Sequence, residues 1–117
     1  MFTRLNAHRA ALGLRQWTRQ SPLDLAERDW AVQMAVNNQC YHGDFGGRAI
    51  AEGFTGWPWG EAGACGFPDA ASALAALLDS PGHRFILEEC CDMNVVGVGA
   101  ARYPNGNWTF WILVGQQ

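Results

Sequence analysis

Apolar residues recur at helical spacing in the first third of the chain. Phe2, Leu5 and Leu12 share a stripe, with Arg9 as its polar exception and Gly13 as a stop, so the spacing predicts a helix over residues 2–12. Ser21-Pro22-Leu23-Asp24 reads as a second helix start, with a cap, a proline, and an acid near the positive end of the dipole. Its stripe is Leu23, Ala26, Trp30 and Met34, and it ends near Asn37-Asn38. Pro68-Asp69 opens a third helix over Ala70–Leu78. Ser80-Pro81-Gly82 then turns into a short helix over Pro81–Leu87, with Ser80 as its cap. Leu74, Leu77 and Leu78 before that turn, and Phe85, Ile86 and Leu87 after it, are expected to anchor both helices in a core.

The pattern changes near the end of the chain. Asn94–Ala101 and Trp108–Val114 are β-rich runs joined through Tyr103-Pro104-Asn105-Gly106, where Asn-Gly is a strong hairpin signal. Residues 43–60 are broken by glycines and Pro58; they read as irregular, with one helical turn around Arg48–Glu52. A short strand is expected around Trp59–Ala64. Helices first and a hairpin last give an α+β class, with an antiparallel sheet that needs helices over it. At 117 residues, with no linker or repeat, the chain is expected to form a single domain, residues 1–117.

Composition narrows the function classes. Hydrophobic residues make up 49% and charged residues 16%, which is globular rather than disordered. A net charge of -3 argues against nucleic acid as a partner. No apolar run reaches the ~20 residues that cross a bilayer. All eight positive residues are arginines, and Arg4, Arg9, Arg15 and Arg19 cluster in the first twenty, read as a solvated helix face. His8 is placed on the solvent side of the first helix.

Cys40, Cys65, Cys90 and Cys91 allow three full pairings, and their spacing fits no zinc ribbon. A bridge between the neighbours Cys90 and Cys91 is strained, which favours bridges from Cys40 and Cys65 to that pair. Glu88, Glu89 and Asp92 surround Cys90-Cys91 and would raise their thiol pKa values, so structural disulfides or buried thiols are expected.

Taken together, the pieces resemble the CAP superfamily (cysteine-rich secretory, antigen-5 and pathogenesis-related proteins), its bacterial branch above all. Leu5-Asn6-Ala7-His8-Arg9 with Gly13-Leu14 looks like the opening helix, and Trp30–Met34 followed by His42 looks like the second helix and its histidine. Trp59-Gly60-Glu61 is similar to the Gly-Glu-Asn signature strand, with Ala62 in place of the asparagine. Ser80-Pro81-Gly82-His83-Arg84 matches the bacterial Ser-Pro-Gly-His-Arg motif, and Val96-Gly97-Val98-Gly99 with Trp108-Thr109 matches the closing hairpin.

The resemblance implies a three-layer α-β-α sandwich with a small antiparallel sheet between helices. It also implies a cleft lined by His42, Glu61 and His83. The second glutamate of the family's set falls near Ser80 and is absent there. Two imidazoles and a carboxylate suit a divalent metal such as zinc. The reading that follows is a secreted binding domain, extracellular or periplasmic with its leader absent from this chain, holding a divalent metal, a small apolar ligand or a peptide. Trp57, Trp59 and Ser80 would form the cleft rim. Two rivals stand beside it: a protease-like, metal-dependent hydrolase with Glu61 as general base, and a structural or adhesive domain in which the three residues are a hydrogen-bonded staple. Neither the ligand nor the oligomeric state follows from the sequence.

Overall fold

The chain closes on β4 (Trp108–Gln116), a strand buried on both faces, and the rest of the fold is arranged around it. The computed structural model describes residues 1–117. Before β4 come α1 (Phe2–Ala11), β1 (Thr18–Arg19), α2 (Ser21–Val36), α3 (Phe45–Ala51), β2 (Trp57–Phe67), α4 (Ala70–Leu78), α5 (Pro81–Leu87) and β3 (Val95–Arg102). The sheet order is β1-β3-β4-β2, antiparallel throughout except for β1, two residues that pair parallel with β3.

Alternation along β4 builds the two interfaces. Phe110, Ile112 and Val114 point into a core shared with Leu5, Trp17, Leu74, Leu77 and Leu87, which come from α1, α4, α5 and the segment after α1. Trp111 and Leu113 point the other way, against Trp30, Ala31 and Met34 of α2 and against Leu23, Ala49 and Phe54. The result is the expected α+β sandwich of three layers, with the sheet between helices.

One layer lies unusually close to the sheet. A Cβ built on Gly97 would collide with the backbone of Leu23 and Asp24, and one on Gly99 with the backbone of Glu27 and Arg28. These two glycines let α2 rest on β3 main chain to main chain. Asp24 stitches the contact by accepting the Val98 N–H at 2.9 Å while pairing with Arg19 at 3.0 Å.

Several expectations are corrected. The short strand at Trp59–Ala64 is eleven residues long, pairing from Trp57↔Gln116 to Phe67↔Trp108. β2 is an edge strand, so Pro58 is tolerated, and a register shift between Pro58 and Gly60 absorbs the irregularity. The single helical turn expected at Arg48 begins earlier, at Phe45, because the Asp44 carboxylate accepts the Gly47 N–H at 2.9 Å and caps it. Ser80 occupies the N-cap position of α5, yet its side chain makes no capping bond. Phe85 is not a core anchor; it is 71% exposed.

Arg9 is not on a solvated face. It is fully buried, stacked 3.7 Å over the Trp17 ring and donating to the carbonyls of Arg15 and Leu87 at 2.7 and 2.9 Å. Asn6 beside it exchanges two 2.9 Å bonds with the Trp17 main chain, so the two buried polar residues of α1 fasten the segment that follows it. His8 is half-buried and lies 3.4 Å from Glu88. The cysteines pair as Cys40–Cys65 and Cys90–Cys91, not crosswise. Cys65 packs with Trp30 and Trp111 on the α2 face, whereas Cys90 lies beyond α5 on the other, so the sheet separates the two pairs.

Candidate functional site

Four side chains from four segments converge between α2 and β2. Glu27 comes from the sheet-facing side of α2, and Glu61 from the middle of β2, opposite Leu113. His42 comes from the loop that the Cys40–Cys65 disulfide ties down, and Arg48 from the capped helix α3. Both glutamate side chains have no exposed surface, a placement that charged groups accept only with partners.

Arg48 is the partner of both. Its Nη2 donates to Glu61 Oε2 and, at 3.3 Å, to Glu27 Oε1. Nη1 donates to the His42 carbonyl at 2.7 Å, and the guanidinium lies 4.0 Å over the Trp30 ring. The planar fork of arginine suits this work, since one cation serves three acceptors and an aromatic face. His42 Nδ1 is 2.9 Å from the other Glu61 oxygen, its ring standing edge-on to Trp111 at 5.6 Å and half open to solvent.

Burial sets the protonation. It pushes the Glu27 carboxyl up to about 9, so at neutral pH Glu27 is a neutral acid. As a carboxylate it would leave Oε2 without a partner; protonated, it has a hydroxyl to give to Glu61. Burial also raises Glu61, against the pull of the Glu27 hydrogen bond and of Arg48. Arg48 lies nearer to Glu61 than to Glu27 and His42 meets Glu61 as well, which favours Glu61 as the seat of the pair's negative charge.

His42 and Glu61, predicted together, are brought together. His83, at the start of α5, makes no hydrogen bond to either. Burial and then the charge of His42 lower its pKa. No three His, Cys, Asp or Glu side chains are grouped to hold a metal ion. Glu61 has no free oxygen to offer a cation, since one meets His42 and the other Arg48, whose guanidinium fills the cationic place beside them. The carboxylate part of the expected donor set is therefore already paired within the chain.

Sequence reasoning missed Glu27 and Arg48. The cluster does hold a second carboxylate, Glu27 of α2, which lies far in sequence from Ser80. A signal for it existed, because Glu27 falls four residues after Leu23 and three before Trp30, inside the apolar stripe. An acid at such a position demands a buried partner. Nothing in the local sequence marked Arg48 as that partner, since the two meet only through the fold.

A second feature lies on the other side of β2. Trp57 and Trp59 line a groove of about 590 Å³ together with Pro81, Phe85 and Met93, and Glu88, Glu89, Cys90 and Asp92 border it with Arg84. Trp57 and Trp59, expected on the rim of a cleft lined by His42, Glu61 and His83, line this separate groove instead, and neither those three residues nor Ser80 is part of its lining.

Comparison with solved structures shows where this arrangement belongs. An outer surface protein of Borrelia burgdorferi superposes with a TM-score of 0.83 at 19% identity, over 99% of this chain and 89% of that one. An extracellular protein containing an SCP domain, from Bacillus anthracis, gives 0.83 at 23% identity, over 99% of this chain and 38% of that one. A cysteine-rich secretory protein of Staphylococcus aureus gives 0.74 at 16% identity, over 99% and 36%. The chain thus spans little more than a third of the length of the last two. A search of curated proteins gives no match. The model of the cysteine-rich secretory protein family matches residues 2–115, and with it the chain belongs to the CAP family.

Proposed function

We propose that residues 1–117 are a single CAP-like domain of an extracellular protein that binds a ligand without turning it over. The ligand cleft is the groove of Trp57 and Trp59, which takes a small apolar molecule or a peptide segment, and the cluster of Glu27, His42, Arg48 and Glu61 is a structural staple. The names of the similar structures, an outer surface protein and an extracellular protein among them, support the location.

One observation carries the reading. A general base needs an oxygen free to take a proton from water or substrate, and Glu61 has both oxygens committed, to Arg48 and to His42. The groove, in contrast, is open and apolar, with one tryptophan 54% exposed. Large apolar surface left in a concavity is the usual form of a ligand site.

The test is uptake of a neutral apolar dye, N-phenyl-naphthylamine, followed by its emission and by tryptophan quenching. Saturable uptake that Trp59→Ala weakens, with the fold intact by circular dichroism, supports the groove as the cleft. Absence of uptake contradicts it. Release of peptides from fluorescent casein, abolished by Glu61→Gln, would instead establish the hydrolase.

A further inference from the structure

The groove has a charge pattern as well as an apolar floor. Glu88, Glu89 and Asp92 share its edge with one lining guanidinium, Arg84, and the buried Arg9 acts on Glu88 and Glu89 from behind. Glu89 is fixed there as an anion. Against the opposing effect of partial burial, its carboxylate accepts the N–H groups of Cys91, Asp92 and Met93 at 2.8, 2.9 and 3.0 Å, and its pKa lies below the usual range. Glu88 reaches only His8, at 3.4 Å, and Asp92 is exposed with no ion-pair partner. Three acids against one lining guanidinium leave the groove's edge net negative, with Asp92 unpaired.

The aromatic rings supply the complementary half. Trp59 is anchored, packing on the core beneath α4 and α5, and its ring centroid lies 5.9 Å from that of Phe85 at a tilt of 46°. Phe85 and Trp57 stand open to solvent beside it. Indole and phenyl faces carry negative quadrupole potential, which adds to that of the carboxylates. An apolar anion would meet repulsion from three acids, and a neutral ligand would leave them unused. A cation wrapped in carbon satisfies both halves.

We infer that the groove of Trp57, Trp59 and Phe85 selects a small organic cation, an ammonium group bearing alkyl or aryl substituents. The inference rests on the groove being the ligand cleft and adds the class of ligand. The ammonium sits over the exposed ring faces, the substituents displace water from Pro81 and Met93, and Glu88 and Asp92 hold the positive charge at the edge.

Three probes of similar shape and different charge test it: benzyltrimethylammonium, benzyl alcohol and benzenesulfonate. Binding is read from the indole N–H signals of Trp57 and Trp59 in the intact chain. The ammonium probe is expected to bind at least about tenfold more tightly than the alcohol, the range a desolvated cation gains over aromatic faces, and to weaken as salt is raised. Glu88→Gln with Asp92→Asn, both outside the core, should weaken the ammonium probe and flatten its salt dependence while leaving the alcohol's binding unchanged. Equal binding of ammonium and alcohol, or tighter binding of the sulfonate, overturns the selectivity while leaving the groove as the cleft. If no probe moves either indole signal, the inference and the cleft reading fall together.

Discussion

Replacing Arg48 by methionine keeps a long apolar stem and removes the one cation shared by Glu27 and Glu61. Glu27 holds its proton, so the damage falls on Glu61, the carboxylate that Arg48 contacts most closely and one with no exposed surface. Breaking a buried ion pair from one side costs about 3–5 kcal/mol, because the remaining charge is stranded. At about 4 °C per kcal/mol for a domain of this size, the melting temperature should drop by about 12–20 °C. The assay is a thermal melt by circular dichroism at neutral pH. Two companions sharpen it. Arg48→Met with Glu61→Gln removes the stranded charge and should recover part of the loss. Arg48→Lys keeps the charge but lacks the fork that reaches Glu27, Glu61 and the His42 carbonyl together, so it should fall between. If Arg48→Met melts within about 3 °C of the parent, less than 1 kcal/mol at that conversion, the cluster is not a staple and the reasoning fails.

The other expectations concern the same layer. Glu27 in the folded chain keeps its proton up to about 9, whereas unfolded it loses it near 4.5, so the native state holds more protons in that window. Stability from this group is therefore lost as pH rises from about 5 towards 9, by at most about 1.4 kcal/mol per unit. Glu27→Gln does not titrate, so its melting temperature relative to the parent should climb steadily across that range; a constant difference would show that Glu27 is ionised throughout. Cys40→Ser with Cys65→Ser opens a loop closed across 25 positions, worth about 3.5 kcal/mol by chain entropy, and denaturant melts should show a loss of that order. Gly99→Ala drives a methyl into the backbone of Glu27 and Arg28; a cost of about 1–3 kcal/mol is expected for overpacking there, and an unchanged urea midpoint would mean that α2 is free to lift off the sheet.

Much of the fold was legible because it depends on local pattern. Apolar spacing gave α1 and α2, Pro68-Asp69 and Ser80-Pro81 gave the starts of α4 and α5, and Asn105-Gly106 gave the hairpin of β3 and β4. The strand β1 was not legible: two residues carry no period, and Thr18–Arg19 is a strand only because β3 lies alongside it. Pro58 and the surrounding glycines masked the true length of β2, since an edge strand tolerates what a central one would not. The site divided along the same line. His42 and Glu61 followed from the family likeness, whereas Arg48, placed only in a helical turn of an otherwise irregular stretch, meets Glu27 only after α3 has folded over α2. Arg9 was misread for a related reason, because its burial depends on Trp17 and on the Leu87 carbonyl at the far end of α5.

The central claim is that an arginine of the chain itself fills the cationic place beside Glu61. A thermal melt of chelator-stripped protein across a zinc titration tests it most directly. The account predicts no shift up to millimolar zinc in the parent, and a rise in Arg48→Met, where the vacated carboxylates and His42 can accept the ion. A saturable increase in the parent's melting temperature, equivalent to about 2.7 kcal/mol at a hundredfold excess over the dissociation constant, would contradict it.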